Sequence, residues 1–222
     1  VVHPEAQVYI FPSVAGYVGG DIVAGIGAHD LENNNSTLLY VDIGTNGEIV
    51  LSDQGKIYCC GTAAGPAFEG AQIKHGTRAT LGAIHQVEIE NSELKIYTIG
   101  DVAPRGVCGT GLIDALACLI KGGSIASNGR LQKDNHLLSS RIQAEGKSPY
   151  FVLSHDPQII VTQEDISQLQ LAKAALQAGR KVLLHQAKRE ESDIDQVILA
   201  GAFGSFINPE SAMTVGIIPR VE

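Results

Sequence analysis

Residues 37–51 constrain the fold of this chain more than any other segment, because they read as a strand, a tight turn and a second strand. The first strand, at about 37–41, is β-branched and aliphatic, as is typical of a buried strand. Asp42 lies where this strand is expected to end, and the turn that follows contains Gly44 and Gly47. We therefore expect a hairpin-like unit that holds an acidic side chain beside a glycine-containing turn.

Two interpretations of this turn are open from the segment by itself. Positive φ angles at Gly44 and Gly47 would bring backbone N–H groups around Thr45 and Asn46 close to a ligand. The carboxylate of Asp42 would then suit a phosphate that carries Mg²⁺, since Mg²⁺ takes carboxylate, phosphate and water oxygens as ligands. The other interpretation is an ordinary hairpin without a ligand, because Asn-Gly is the commonest hairpin dipeptide.

A second apolar strand that runs into a glycine turn lies near the carboxyl end of the chain. Residues 197–200 are apolar, and Gly201, Ala202 and Phe203 follow them directly. Small residues after a buried strand allow a flat ligand to lie against the backbone. Residues 208–210 then predict the N-cap, first-turn proline and first-turn acid of a short helix. Two such turns, each able to hold part of a nucleotide, favour the ligand-binding interpretation.

Four blocks of sequence carry a family resemblance, at residues 41–48, 60–71, 106–116 and 199–204, and residues 15–21 add to it. They resemble the ATP-dependent reductive activators of corrinoid proteins, which belong to the actin, sugar-kinase and chaperone ATPase superfamily. The resemblance implies an α/β fold: a ribonuclease-H-like lobe of the actin-like ATPase fold, with a mixed sheet flanked by helices and with hairpin insertions. Such proteins hydrolyse ATP while a low-potential electron reduces Co(II) to Co(I) in a partner.

The resemblance also implies roles for individual residues, with ATP and Mg²⁺ as cofactors. The residues that it implies bind phosphate and metal are Asp42, Gly44, Thr45, Asn46 and Gly47. Those on the adenosine side are Gly201, Ala202 and Phe203, while Gly65 and Glu69 line the cleft. Asp42, as the metal ligand, and Glu69, through Mg²⁺ or a water, are the implied catalytic residues.

The resemblance further implies how the chain fits into a larger protein. Residues 1–222 are expected to form the second, C-terminal lobe of the ATPase domain, including an inter-lobe helix at about 13–28 on which Asp21 is a candidate carboxylate. The N-terminal ferredoxin domain with its [2Fe–2S] cluster and the first ATPase lobe are expected outside this sequence. The implied partners are the corrinoid protein of a methyltransferase system and a second copy of the protein in a homodimer.

Composition excludes several other classes of function. The net charge is −8, the chain has no Trp, and aromatic residues make up 5% of it, which disfavours a nucleic-acid surface. Neither a signal peptide nor an apolar run of membrane-spanning length is recognisable, so we expect a soluble, cytoplasmic protein.

The four cysteines do not have the spacing of a zinc or iron–sulfur motif, because no C-x-x-C pair occurs. Cys118 is expected to be a buried residue on the apolar face of a helix. Cys59 and Cys60 are adjacent, and Cys60 and Cys108 each precede a glycine turn, where a cluster could be reached. We therefore expect no iron–sulfur cluster in this part of the protein. Cys60 and Cys108 are the residues that would bind a cluster if this expectation were wrong.

The pattern of apolar residues, turns and caps predicts the remaining elements. Strands are predicted at 37–43, 48–52, 56–60 and 196–200, and hairpins at 83–99 and 150–161. Helices are predicted from Pro66, at 109–121, from the N-cap Thr162 with Asp165 in a capping box, and at 209–214. Residues 124–149 are predicted to be a surface loop with a short helix.

Two alternative functions stay open beside that of an ATPase lobe. An isolated lobe would hold only half of a nucleotide site, so it could instead be a non-catalytic module for partner docking or dimerisation. It could also be the lobe of a small-molecule kinase of the same superfamily, although no acid of a sugar pocket is recognisable in it.

Overall fold

The computed structural model describes residues 3–133, 137–146 and 148–221. The strands are β1 (Thr37–Ile43), β2 (Gly47–Asp53), β3 (Lys56–Thr62), β4 (Ala83–Glu90), β5 (Glu93–Thr98), β6 (Gly106–Val107), β7 (Ile142–Glu145), β8 (Ser148–His155), β9 (Gln158–Thr162) and β10 (Gln196–Ala200). The α-helices are α1 (Gly20–Ala28), α2 (Gly109–Lys121), α3 (Gln163–Ala187), α4 (Gly201–Gly204) and α5 (Pro209–Val215). The sequence-based predictions for β1, β2, β3, β10, α2, α3 and α5 are confirmed to within about two residues at each end.

A mixed four-stranded sheet with the order β10-β1-β2-β3 is the centre of the fold. Strands β1, β2 and β3 form an antiparallel meander, while β10 pairs with β1 in parallel. In this register Asp42 lies opposite Glu48 on one side and opposite Ala200 on the other. The last residues of β1 and β10 therefore meet at the same edge of the sheet.

The two faces of this sheet are covered by different helices. On one face, Val18 just before α1 and Ile22 in the first turn of α1 pack with side chains of the strands, which are Leu38, Tyr40 and Val50. On the other face, α3 packs across β2 and β3 as part of the main core of the protein. Continuous burial along β1 follows from this cover on both faces, and it explains the uninterrupted apolar run in the sequence.

Helix α3 begins at a capping box and lies very close to the sheet. The Thr162 hydroxyl accepts a hydrogen bond from the Asp165 N–H, and the Asp165 carboxylate accepts one from the Thr162 N–H at 2.7 Å. Gly179 is buried against Thr62 and Cys60 of β3, where a β-carbon would collide with the Thr62 side chain at 2.4 Å and crowd the Cys60 sulfur at 3.1 Å. This glycine, which weakens the helix pattern in the sequence, is what lets α3 approach the strand.

Two smaller, three-stranded sheets lie beside the central sheet in the described part of the chain. The first has the order β5-β4-β6, and α2 packs against β4. Cys118 of α2 is buried as predicted, and burial is the main cause that raises the pKa of its thiol to about 11. The second has the order β7-β8-β9, and it leads directly into α3.

Three sequence-based predictions of local structure need correction. Helix α1 begins at Gly20 rather than near residue 13, and the helix expected from Pro66 is a single 3₁₀ turn, Pro66–Glu69. Strands β7 and the start of β8 lie within the region predicted as a surface loop. Their short, polar sequences lack a clear alternation, and they become strands because β8 pairs with both β7 and β9. Of the helices that the structure describes, none is both long and apolar enough to cross a membrane.

Candidate functional site

The ends of β1 and β10 bring the two predicted glycine turns together. Gly201 follows β10 directly and has a φ angle of +77°, which favours glycine over any other residue. A β-carbon at Gly201 would lie 2.5 Å from Asp42 Oδ1, closer than real side chains approach. The carboxylate of Asp42 therefore lies directly against the backbone at which the second turn begins, and only glycine leaves it this space.

The turn after β1 is held by a small network of hydrogen bonds. The Gly44 N–H donates to the Asn46 carbonyl at 3.0 Å, and the Gly65 N–H donates to the Thr45 carbonyl at 2.9 Å. The Thr45 hydroxyl donates to the Glu69 carboxylate. Thr45, Glu69 and Gly65, which are separated in the sequence, thus form one unit, with Thr45 and Glu69 exposed to solvent.

Neither Gly44 nor Gly47 has the positive φ angle that the sequence-based interpretation assumed, and that prediction is wrong. The N–H of Gly44 is occupied within the turn. Gly47 is the first residue of β2, and a β-carbon there would collide with Leu176 of α3 and with the Thr62 hydroxyl. Its role is to allow helix α3 to pack on the turn, rather than to expose backbone to a ligand.

Asp42 and Glu48 lie opposite each other at the end of β1, and Asp21 of α1 acts on both through its charge. Burial, and then the charge of Asp21, raises the pKa of Asp42. Burial, and then the charges of Asp42 and Asp21, raises the pKa of Glu48. None of the ion pairs within the described residues includes these three side chains. The site is therefore electrostatically short of positive charge, which a divalent cation would supply.

A preformed protein cage for such a cation does not occur within the described residues, where no three His, Cys, Asp or Glu side chains are grouped to hold a metal. Asp42 is half-buried and faces the site, so it fits the role of a single carboxylate ligand. Mg²⁺ is commonly bound in this way, by one or two carboxylates together with phosphate oxygens and water.

The turn after β10 is a single helical turn, α4, whose side chains differ in environment. Gly201 and Ala202 are exposed, whereas the ring of Phe203 is half-buried against Phe68, with ring centroids 5.7 Å apart. A β-carbon at Gly109, the first residue of α2, would collide with the Phe203 ring and the backbone of Phe68. Phe203 thus anchors the turn, and the exposed backbone of Gly201 and Ala202 faces solvent.

Comparison with known proteins identifies this arrangement. Residues 36–222 match the family described as the C-terminal domain of RACo, the ASKHA domain, and residues 1–34 match the RACo middle region. The chain belongs to the RACo family. ASKHA domains are actin-like ATPase domains, so the fold predicted from the sequence is confirmed, and the domain is of a nucleotide-binding type.

Individual relatives agree with this assignment. The corrinoid activation enzyme RamQ of Eubacterium limosum is 37% identical over the whole chain, and the chain covers 39% of it. The [Co(II) methylated amine-specific corrinoid protein] reductase of Methanosarcina barkeri is 25% identical over 97% of the chain, which covers 41% of that protein. A solved reductive activator for corrinoid, iron–sulfur protein aligns with 96% of the chain at a TM-score of 0.83 and 41% identity, and the chain covers 35% of it. The chain thus spans about two fifths of the curated relatives.

The structure adds Glu48 to the candidate site, a residue that the sequence-based assignment left out. Glu48 joins Asp42 because β1 and β2 pair with Ile43 opposite Gly47, which places Glu48 directly across from Asp42. The position of Glu48 opposite Asp42 could have been predicted from the sequence by pairing the residues of β1 and β2 outward from the turn. Asp21, the candidate on α1, influences both of their pKa values from a different element.

Proposed function

We propose that this ASKHA domain is the ATP-binding lobe of a reductive activase, which couples ATP hydrolysis to reduction of Co(II) to Co(I) in a partner corrinoid protein. The single observation that carries the proposal is the meeting of Asp42 with Gly201, where the acidic turn and the small-residue turn share one edge of the sheet. The names of the relatives, which are a corrinoid activation enzyme and a corrinoid protein reductase, support the same activity.

The residues of the site have complementary roles in this proposal. Asp42 holds Mg²⁺ or its waters, and Mg²⁺ when bound supplies the positive charge that neutralises the phosphates. The exposed side-chain amide of Asn46 donates hydrogen bonds to phosphate oxygens, whereas the Thr45 hydroxyl, whose single proton is donated to Glu69, offers its lone pairs to Mg²⁺ or to a water beside the phosphates. Glu69 orients the Thr45 hydroxyl through their hydrogen bond and is close enough to the turn to hold a water. Gly201 and Ala202 present bare backbone to the nucleoside.

The electron chemistry belongs, in our proposal, to a different part of the full-length protein. Cys108 and Cys118 are buried, and Cys59 and Cys60 are half-buried on β3, so the described residues hold no exposed cysteine group for a cluster. We place the [2Fe–2S] cluster in an N-terminal ferredoxin domain. The ATPase domain then contributes closure of its two lobes on ATP, which changes the surface offered to the corrinoid protein.

The proposal also covers the partner, the cellular compartment and the oligomeric state of the full-length protein. We assign the corrinoid partner to a methyltransferase system, in line with the methylated-amine specificity in the name of one relative. We place the protein in the cytoplasm, where ATP and low-potential reductants are available and where free thiols such as these four persist. We also propose that the full-length protein is a homodimer.

The test of the ATPase proposal is the substitution Asp42→Asn in the full-length protein. It removes the charge but keeps the size of the side chain, so the fold should survive while Mg²⁺-dependent ATP turnover falls by about 10²-fold or more. Asp101→Asn is a matched control, because Asp101 is exposed and lies in the loop between β5 and β6, outside the site. A folded Asp42→Asn protein with unchanged ATP turnover would remove Asp42 from the mechanism and, with it, our assignment of the site.

A further inference from the structure

Helix α3 has a second apolar face, which points away from the protein. Its inner face, with Leu169, Leu176 and Leu183 among others, is buried in the core. On the outer side Leu171 is 66% exposed and Val182 is 55% exposed. These are large apolar side chains on a helix surface where polar residues are expected, so they mark a surface that can be covered by another molecule.

The exposed side chains form one continuous stripe. Leu171, Ala175, Ala178 and Val182 follow one another at intervals of four, three and four residues, which places them on the same side of an α-helix. Ala178 is exposed and Ala175 is half-exposed. The elements of the domain that contact α3 most are β2 and β3, on the inner side. We call these four residues the outer stripe.

The outer stripe is complementary to itself in the antiparallel direction. When a second α3 runs the opposite way, Leu171 of each copy faces Val182 of the other, and Ala175 faces Ala178. Large residues then meet at the two ends, and alanines meet at the centre, where they allow two helices to come close together. The two halves of the stripe have the same size pattern in reverse, as a two-fold interface requires.

Charge along the same side of α3 favours this direction. Glu164 is exposed at the start of the helix, and His185 and Lys188 are exposed at its end. Antiparallel pairing places Glu164 of one copy beside the basic end of the other, and it also aligns the helix dipoles favourably. Parallel pairing would instead bring like charges together at both ends.

We propose that the full-length protein dimerises through the outer stripe of α3, with the two α3 helices antiparallel about a two-fold axis between Ala175 and Ala178. This inference rests on the homodimer in our proposed function and names the surface that forms it. It also explains why a helix of this length keeps large apolar residues on the side that faces away from its own domain.

The first test measures mass by sedimentation of the full-length protein. Leu171→Glu and Val182→Glu each place charges within the interface, so each should weaken the dimer at least tenfold and shift the protein towards the monomer. Leu81→Glu is the matched control, because Leu81 is 55% exposed but lies in a loop far along the chain from α3, and it should leave the dimer intact. Dimers that persist in both α3 variants would overturn the proposal, as would a monomeric wild-type protein.

The second test examines direction by disulfide formation. When Leu171→Cys and Val182→Cys proteins are mixed, mild oxidation should link them, because these positions face each other across the axis. Neither variant alone should form the link, since identical positions then lie eleven residues, or about 16 Å, apart along the helices, far beyond the Cα separation of about 7 Å that a disulfide tolerates. Links within each single variant would overturn the antiparallel arrangement, and so would a mixture without links.

These outcomes are separate from those of the ATPase test. The outer stripe lies on α3, whereas the Asp42→Asn experiment reads ATP turnover at the edge of the central sheet. A failure of the dimer tests leaves the ATP site as proposed, and a failure of the Asp42 test leaves the interface as proposed. Thermal unfolding of each variant verifies that its fold is retained.

Discussion

Substitution of Gly201 by alanine probes the contact on which the candidate site depends. The new β-carbon would lie 2.5 Å from Asp42 Oδ1, whereas ordinary contacts of this kind begin at 3.4 Å. The carboxylate must therefore move by about 0.9 Å, since Gly201 is bound to the end of a paired strand and moves less easily. In addition, alanine at a φ angle of +77° carries backbone strain of about 1–2 kcal/mol.

The two effects have different consequences, which allows them to be separated. Backbone strain lowers the stability of the fold, by about 2–4 °C in melting temperature for each 1 kcal/mol in a domain of this size. In our proposal, displacement of the carboxylate would also displace the Mg²⁺ that Asp42 holds, and a shift of about 1 Å at a reacting centre can lower a rate by about 10²-fold. We expect Gly201→Ala to reduce kcat/KM for ATP hydrolysis by about that factor in the full-length protein.

Gly146→Ala is the control for strain alone. Gly146 has a φ angle of +63° in the turn after β7, and no atom lies within 4 Å of the position of its β-carbon. Both variants should therefore melt earlier, while only Gly201→Ala should lose ATP turnover and require more Mg²⁺. If Gly201→Ala hydrolyses ATP within twofold of the wild type, the contact between Asp42 and Gly201 does not set the metal position, and our reasoning is refuted.

Three further predictions concern stability and composition. Burial raises the pKa of Asp114, so the protonated side chain stabilises the fold at low pH, and this contribution is lost as the pH rises through the raised pKa. Asp114→Asn should flatten this fall in melting temperature above about pH 4, the ordinary pKa of an aspartate. Arg180→Ala should lower the free energy of unfolding, measured by chemical denaturation, by about 1–3 kcal/mol, because the buried guanidinium donates a hydrogen bond to the Ile217 carbonyl at 3.1 Å. Lys181→Ala is the control and should have little effect, because Lys181 is exposed. If this chain is one lobe of the ATPase domain, as we propose, it should by itself release little heat with Mg-ATP in calorimetry and should contain no stoichiometric iron; micromolar binding or an iron-dependent colour would contradict these expectations.

Local structure was predictable wherever the residues in a segment are compatible with few backbone conformations. The capping box of Thr162 and Asp165 specifies where α3 begins, because both side chains satisfy backbone N–H groups of the first turn. Asn208 caps α5 in the same way, by accepting hydrogen bonds from the N–H groups of Glu210 and Ser211. Strand β1 was equally clear, since an uninterrupted apolar run of this length between turns is typical of a doubly covered strand.

Glycine was harder to interpret, because the sequence does not say why a side chain is missing. Gly44 and Gly47 were expected to take positive φ angles, yet Gly47 is a glycine because α3 packs against it. Gly201 does take a positive φ angle, and it also leaves space for Asp42. Both uses of glycine look the same in a sequence, and only the neighbouring elements distinguish them.

Patterns within the sequence were enough to specify the meander that carries Asp42 and Glu48 and the capped helices, and the family match confirms the resemblance that they carry. The parallel pairing of β10 with β1, which places Gly201 against Asp42, was seen first in the folded protein. Parallel strands are joined by a long crossover, here most of the chain, so no local pattern specifies which strands become neighbours. That choice depends on how the whole core packs, and it is the choice that assembles the site.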